Sequence, residues 1–131
     1  MPNHLHFTIY CPEDVKSLNA CISNGKRFMA YEIVKRLRQK DQQQILNLLS
    51  EDVSASDRRA GKLHQVFRDS FDAKEIMSDR MMLQKLDYMH SNPVSKKWRL
   101  AVDDISYLHS SARYYATEVQ GIFKLTHYRD V

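Results

Sequence analysis

The stretch from Ser78 to Pro93 constrains the fold most, because it defines one helix at both of its ends. Ser78 is a favoured N-cap residue, and Asp79 follows it in the first turn, where negative charge is favourable. Asn92-Pro93 stops the helix, since a residue that precedes proline disfavours the helical backbone conformation. The pattern therefore predicts a helix from Ser78 to about Ser91.

The two faces of this helix differ in character. Four apolar side chains form one stripe on a helical wheel: Met82, Leu83, Leu86 and Met89. Gln84, Tyr88 and Asn92 follow one another at intervals of four on the opposite side. A tyrosine in that position does not fill the same core as the methionines, so we expect Tyr88 to face solvent or a cleft.

Composition favours a single, mostly helical domain. The chain has 131 residues, with only 3 glycines and 3 prolines to form tight turns. Cys11 and Cys21 show neither metal-ligand spacing nor a disulfide framework, and no apolar run approaches the length of a membrane span. A cytoplasmic protein without a membrane partner is therefore predicted.

Further elements follow from local patterns. Alternating side chains predict a strand over residues 3 to 10, which Cys11-Pro12 ends, and a weaker alternation between Leu63 and Phe71 indicates a second strand. Helical spacing predicts three more helices: Val15 to about Lys40, Asp41 to about Leu49, and Ser110 or Ser111 through Tyr115. Asn24-Gly25 either lies within the first of these helices or forms a turn that divides it.

The predicted first strand would present two imidazoles side by side. His4 and His6 point to one face of such a strand, because successive side chains alternate. If the strand lies beside the helix that carries Tyr88 and Asn92, two neutral imidazoles and the Asn92 amide oxygen could hold Mg²⁺ or Mn²⁺. Tyr88, one turn before Asn92, would then be a nucleophile for a phosphodiester.

Each of these features also has an ordinary structural explanation. Two histidines on a strand more often form a polar face, a lone tyrosine on a helix is usually packing or surface, and Asn-Pro is most often only a helix stop. The other four histidines have no partner at a useful spacing and are interpreted as structural or surface residues: His64, His90, His109 and His127.

Positive charge is clustered along the chain. The formal net charge is +4, a mild bias toward polyanionic partners. Four basic clusters carry this charge: Lys26-Arg27, Lys35-Arg36-Arg38-Lys40, Arg58-Arg59-Lys62 and Lys96-Lys97-Arg99. Such clusters are equally compatible with solvated faces and with contacts to a phosphate backbone.

Two segments together resemble a known family. Residues 1 to 7, Met-Pro-Asn-His-Leu-His-Phe, resemble the metal-binding HUH motif (histidine, hydrophobic residue, histidine) of single-tyrosine transposases, in particular the REP-associated and insertion-sequence-type members. Residues 85 to 94 resemble the tyrosine helix of the same family, with Tyr88 in the nucleophile position. Further stretches, at residues 24–33, 67–72 and 110–115, extend the resemblance over nearly the whole chain.

The resemblance implies a metal-dependent endonuclease and strand transferase that acts on single-stranded DNA, often beside a small hairpin. Tyr88 would form a 5′-phosphotyrosine link, with His4, His6 and Asn92 as ligands of Mg²⁺ or Mn²⁺. The basic residues that would contact DNA are Lys26, Arg27, Lys35, Arg36, Arg38, Lys96 and Lys97. The resemblance also implies that Asn24-Gly25 lies inside one long helix.

The family fold is ferredoxin-like and has a strand, a helix and a strand before the HUH motif, whereas this chain starts inside the motif. Either Met1 is an internal methionine or the protein is a truncated remnant. The expected fold is therefore α+β: the second half of a ferredoxin-like fold, mostly helical, with C-terminal helices. A strand without neighbours exposes unpaired backbone groups, which suggests a homodimer whose half-sheets complete each other.

Three functional hypotheses follow from the sequence. The first is an active transposase-like nuclease, and the second is an inactive remnant that binds a DNA hairpin without cleaving it. The third is a small helical interaction module that is unrelated to nucleic acid. Formation of a covalent DNA adduct separates the first from the second, and absence of salt-dependent DNA binding would favour the third.

Overall fold

The described residues form helices that are connected by irregular loops. The computed structural model describes residues 1, 3–12, 17–68 and 71–131. The elements are α1 (Leu18–Gln39), α2 (Gln43–Glu51), α3 (Ala55–Arg59), α4 (Asp79–Ser91), a 3₁₀ turn (Asn92–Val94) and α5 (Ala112–Thr117). Two compact units form: a terminal unit of Met1–Tyr10 with Lys74–Val131, and a middle unit of Cys11–Ala73.

The predicted α+β, partial ferredoxin-like fold is wrong, because the described residues contain no strand and no sheet. Residues 3–10 are irregular, and apolar side chains in this segment, such as Leu5 and Phe7, are exposed. A strand exists only where a neighbouring strand accepts and donates its backbone hydrogen bonds, and the alternation of side chains supplies no such neighbour. A dimer that forms by completing half-sheets therefore has no basis in this fold.

The second predicted strand, between Leu63 and Phe71, is also absent from the described part of that segment. The backbone N–H of Gln65 donates instead to the carbonyl oxygen of Leu49 in α2, over 2.7 Å. This hydrogen bond holds an irregular segment against a helix, so the weak alternation in the sequence does not correspond to a strand.

In the middle unit, α1 is one continuous helix of 22 residues that runs through Asn24-Gly25. The Ser17 hydroxyl accepts a hydrogen bond from the Ala20 N–H at its start. Asp41, with a φ of 51°, then turns the chain away at its end. The interpretation of Asn24-Gly25 as a break between two helices is wrong, and the prediction of one long helix is confirmed. Val15, the predicted first residue, lies outside the described residues.

The remainder of the middle unit packs around α2. Leu46 of α2 and Val53 just after it are buried. The short helix α3 begins at a second serine cap, since the Ser54 hydroxyl accepts a hydrogen bond from the Asp57 N–H over 3.1 Å. This unit therefore rests on a small apolar centre and on local hydrogen bonds.

In the terminal unit, α4 has the predicted limits. The Ser78 hydroxyl accepts a hydrogen bond from the Met81 N–H, and the helix ends at Ser91, where the 3₁₀ turn with Pro93 begins. Leu86 of the predicted apolar stripe is buried. Leu83 of the same stripe, however, is 53% exposed.

The C-terminal part of the terminal unit carries the predicted short helix, α5, whose first residue, Ala112, is buried. The chain leaves α5 at Glu118, which adopts a left-handed conformation with a φ of 60°. Within the described part of the chain, each helix is too short or too polar to cross a bilayer. Both cysteines are exposed free thiols.

Candidate functional site

Four side chains from distant parts of the sequence meet in the terminal unit. The ring centroids of His4 and His6 are 4.8 Å apart, and those of His6 and Tyr88 are 5.5 Å apart. The side-chain amide of Asn92 lies 3.2 Å from Nε2 of His6. His6 is therefore the centre of the group, between the other histidine on one side and the two residues of the α4 region on the other.

Local backbone geometry places Tyr88 and Asn92 on the same side of their element. The Asn92 backbone N–H donates to the Tyr88 carbonyl oxygen, so the helical spacing continues for one turn beyond the end of α4. Both side chains thus project toward His6. Tyr88 is 55% exposed, which agrees with a position on the face opposite the buried Leu86 and leaves the phenol accessible to a large substrate.

Hydrogen bonds define the tautomers of the two imidazoles. Nδ1 of His4 lies 2.7 Å from the side-chain oxygen of Asn3, which can only accept, so Nδ1 carries the proton and donates it. The Asn92 amide N–H donates to Nε2 of His6, which must then be unprotonated. In both rings, therefore, Nε2 carries the lone pair that a metal ion requires. In His6 this lone pair accepts the Asn92 hydrogen bond, which a metal ion would have to displace.

The pKa of His6 also favours a neutral imidazole. Partial burial lowers the pKa of His6, and the nearby charges of His4 and the N-terminal ammonium group lower this pKa further. An imidazole with a lowered pKa stays neutral to lower pH than a solvent-exposed one. His6 is thus held in the form that can bind a cation.

The donor set at this position fits a small divalent ion. Adjacent ligands of an octahedral ion, each about 2.1 Å from it, are about 3.0 Å apart, which is close to the 3.2 Å between the amide of Asn92 and Nε2 of His6. Rotation of the Asn92 amide by half a turn, which breaks its hydrogen bond to His6, would turn the amide oxygen toward the ion. The described residues contain no group of three or more His, Cys, Asp or Glu side chains that could hold a metal ion, so a third protein ligand would have to be of another type. Asn92, whose amide contacts His6, is the candidate at this position.

The predicted DNA-binding residues on α1 lie in the middle unit and differ in their contacts. Glu32 forms ion pairs with Lys35 (3.6 Å) and Arg36 (2.9 Å), and both of these basic side chains remain largely exposed. These two bases lower the pKa of Glu32, chiefly through the Arg36 hydrogen bond. Exposed ion pairs of this kind are weak, so Lys35 and Arg36 can each exchange the Glu32 carboxylate for a phosphate.

Other bases of α1 lie against aromatic rings or a cleft. The Lys26 ammonium group donates to the Arg68 carbonyl oxygen and lies 6.0 Å from the centroid of Phe67. The Arg27 guanidinium group lies over Phe28, 5.1 Å from its centroid. Arg38 lines a cleft of about 550 Å³ in the middle unit. The two remaining predicted bases, Lys96 and Lys97, are exposed in the terminal unit.

Two neighbours of the site were not predicted from the sequence. Trp98 lies beside His4, with 5.5 Å between ring centroids, and Asn3 is the hydrogen-bond partner of the same imidazole. The adjacency of Asn3 and His4 in the sequence was a signal for the second contact. No local pattern pointed to Trp98, because its position depends on how the chain folds back after Pro93.

The remaining histidine near the tyrosine does not join the site. Nε2 of His90 is 2.8 Å from the Ser111 hydroxyl, and its ring lies 5.7 Å from that of Tyr115. Burial lowers the pKa of His90, although the carboxylates of Asp104 and Asp87 oppose this effect. His90 therefore links α4 to the start of α5, as expected for a structural residue.

Comparison with protein-family models, with curated proteins and with solved structures gave no match.

Proposed function

We propose that this chain is a metal-dependent single-stranded DNA endonuclease and strand transferase of the single-tyrosine transposase type, with Tyr88 as its nucleophile. The observation that carries the proposal is the meeting of His4, His6, Tyr88 and Asn92 in one small volume, around an imidazole 5.5 Å from the phenol and 3.2 Å from the amide. The resemblance of the two sequence segments to the transposase motifs supports the same function independently of these distances.

In the proposed reaction, the phenolic oxygen of Tyr88 attacks the phosphorus of a phosphodiester. As a new bond forms between this oxygen and phosphorus, the phenol gives up its proton to water and the bond from phosphorus to the 3′ oxygen breaks. The 3′ oxygen takes up a proton from water and leaves as a 3′-hydroxyl, and the 5′ phosphate stays on the tyrosine. The 3′-hydroxyl of a second strand reverses the step and releases Tyr88.

The neighbouring side chains would orient the phosphate. A bound Mg²⁺ or Mn²⁺ supplies Lewis-acid polarisation of a phosphate oxygen. The Nε2 atoms of His4 and His6 and the amide oxygen of Asn92 would hold this ion. The exposed position of Tyr88 suits a polymeric substrate, since a phosphate within a DNA chain cannot enter an enclosed cavity.

Single-stranded DNA would bind along basic surfaces that also carry exposed aromatic rings. Arg27, Tyr31 and Lys35 lie four residues apart on α1 and therefore share one helix face. Tyr31 is 65% exposed. Basic side chains bind phosphates, and aromatic rings stack on nucleobases. This face therefore has the composition of a single-strand binding surface. Its affinity should fall steeply as the salt concentration rises.

Incubation with a hairpin-containing single-stranded oligonucleotide and Mn²⁺ tests the proposal. We expect a covalent protein–DNA adduct on a denaturing gel, lost in Tyr88→Phe and in His6→Ala. Tyr10→Phe is the matched control, because Tyr10 is another exposed tyrosine of the terminal unit, and this variant should form the adduct at the wild-type level. An adduct that persists in Tyr88→Phe would disprove the assignment of the nucleophile.

A second candidate is a protein that binds a DNA hairpin without cleaving it. This alternative is favoured by the irregular, exposed segment that carries His4 and His6, since catalysis requires a rigidly supported site. Salt-dependent binding of the hairpin oligonucleotide without any adduct, in wild type and in Tyr88→Phe alike, would establish this candidate instead.

The proposal includes a homodimer in the cytoplasm. The apolar side chains of Phe28, Met29 and Ile33 are exposed on α1 and offer a surface to a second copy of the chain. The two free thiols suit a reducing compartment. Light scattering on the purified protein tests the dimer, and a Phe28→Glu variant should shift a dimer to the monomer mass.

A further inference from the structure

Trp98 contacts the histidine pair at His4, whereas Tyr88 contacts it at His6. Ring-to-ring distances of 5.5, 4.8 and 5.5 Å connect Tyr88, His6, His4 and Trp98 in that order. A strand whose phosphate reaches Tyr88 and the imidazoles would therefore extend toward the indole. The function proposed above assigns no role to this tryptophan.

The backbone after the 3₁₀ turn holds Trp98 in this position. The N–H groups of Trp98 and Arg99 both donate to the Ser95 carbonyl oxygen, over 3.0 Å each. The Leu100 N–H then donates to the carbonyl oxygen of the buried Pro93 over 2.9 Å, so the loop closes on the end of α4. The backbone at Trp98 is thus held close to Asn92, one residue before Pro93.

The surroundings of the indole suit a nucleotide. The plane of the His4 ring is tilted by 58° from that of Trp98, so the imidazole meets the indole at an angle and does not stack on it. The exposed Lys97 ammonium group lies over the indole, 4.9 Å from its centroid. Because this side chain is exposed, it can move from the ring to a phosphate and leave the aromatic face to a nucleobase.

We propose that Trp98 is a positioning residue on which a nucleobase of the single strand stacks, next to the phosphate that faces Tyr88, while Lys97 contacts the adjoining phosphate. This inference rests on the proposed function and names a part of its substrate site. Because every base has an aromatic face, the contact selects unpaired over paired nucleotides rather than one sequence over another.

The chain has a single tryptophan, so fluorescence that is excited at the long-wavelength edge, where the seven tyrosines do not absorb, reports on Trp98 alone. The probes are an oligothymidylate of about 16 nucleotides, at the upper end of single-strand site sizes, and a strand of equal length that is abasic at every position. We expect the thymidylate to quench the emission and the abasic strand, which has the same phosphates but no bases, to leave it unchanged. Unchanged emission with saturating thymidylate would overturn the inference.

Substitutions supply a second measurement. Trp98→Ala should weaken thymidylate binding by about ten-fold, within the range that base–aromatic stacking provides, whereas Trp98→Phe should retain most of the affinity. The rescue by phenylalanine excludes simple misfolding, and Phe123→Ala, at another exposed ring of the same unit, should bind like wild type. Equal affinity of Trp98→Ala and wild type would refute the stacking role.

The outcomes also separate this inference from the function on which it rests. Quenching without a Tyr88 adduct would retain the stacking site and remove the nicking activity. An adduct without quenching would retain the nicking activity and remove the stacking site. Failure of the protein to bind either strand would overturn both.

Discussion

The hydrogen bond between His4 and Asn3 gives a sharp test of the proposed metal centre. The Asn3 oxygen accepts from Nδ1 of His4 over 2.7 Å and thereby leaves Nε2 with its lone pair. Removing such a partner of a metal-binding histidine usually weakens metal affinity by about 10- to 100-fold. Both residues are exposed, so water can partly replace the lost acceptor. We therefore expect Asn3→Ala to lower Mn²⁺ affinity by about 10-fold, or about 1.4 kcal/mol.

Isothermal titration with Mn²⁺ measures this loss directly. Asn3→Asp keeps an acceptor at the same position and should bind Mn²⁺ at least as tightly as wild type, which makes it the matched control. His4→Ala, which removes a proposed ligand, should bind more weakly than Asn3→Ala. Wild-type affinity in Asn3→Ala together with lost binding in His4→Ala would refute the role of Asn3, and absence of Mn²⁺ binding to the wild-type protein would refute the metal centre itself.

Three further predictions concern the fold. Leu86→Ala should lower the free energy of unfolding by about 2–5 kcal/mol, because Leu86 is only 5% exposed at the centre of the terminal unit. Urea denaturation measures this loss, and the exposed Leu83→Ala is the control, with an expected loss near zero. A loss near zero for Leu86→Ala would contradict the prediction. Gly25→Ala should raise the free energy of unfolding by about 0.5–1 kcal/mol, since Gly25 lies within α1 and an added Cβ meets no atom within 4 Å. The melting temperature should rise accordingly, and a lower melting temperature would show that α1 is interrupted there. Burial lowers the pKa of His90, so the unfolded chain binds a proton at higher pH than the folded one, and stability should fall as the pH drops below about 6.5. His90→Gln should reduce that fall in urea titrations at several pH values, and an identical pH dependence would exclude His90 as a contributor.

The helices of this chain could be predicted in detail because their signals are local. The Ser78 cap and the Asn92-Pro93 stop act within one turn of the residues that they affect, and the structure has α4 between them. The prediction that α1 continues through Asn24-Gly25, which the structure confirms, depended on the family resemblance. Helix propensity alone favours a break there, because glycine is a poor helix former.

The strand predictions were wrong because strands depend on partners that are distant in the sequence. Alternation over residues 3 to 10 describes how side chains would be distributed if a strand formed, but a strand requires backbone hydrogen bonds to a neighbour that is distant in sequence. The exposure of Leu83 has a similar origin, because the helical pattern specifies a face and not what covers it.

The candidate site divides along the same line. The sequence by itself determined which residues are chemically suited, namely two histidines at alternate positions and a tyrosine one turn before an asparagine. Only the tertiary structure decided that His6 meets Asn92, that Asn3 defines the tautomer of His4 and that Trp98 lies next to that ring. Helix limits depend on interactions between residues three or four positions apart, whereas His6 and Asn92, which are 86 positions apart, meet only through the packing of the whole terminal unit.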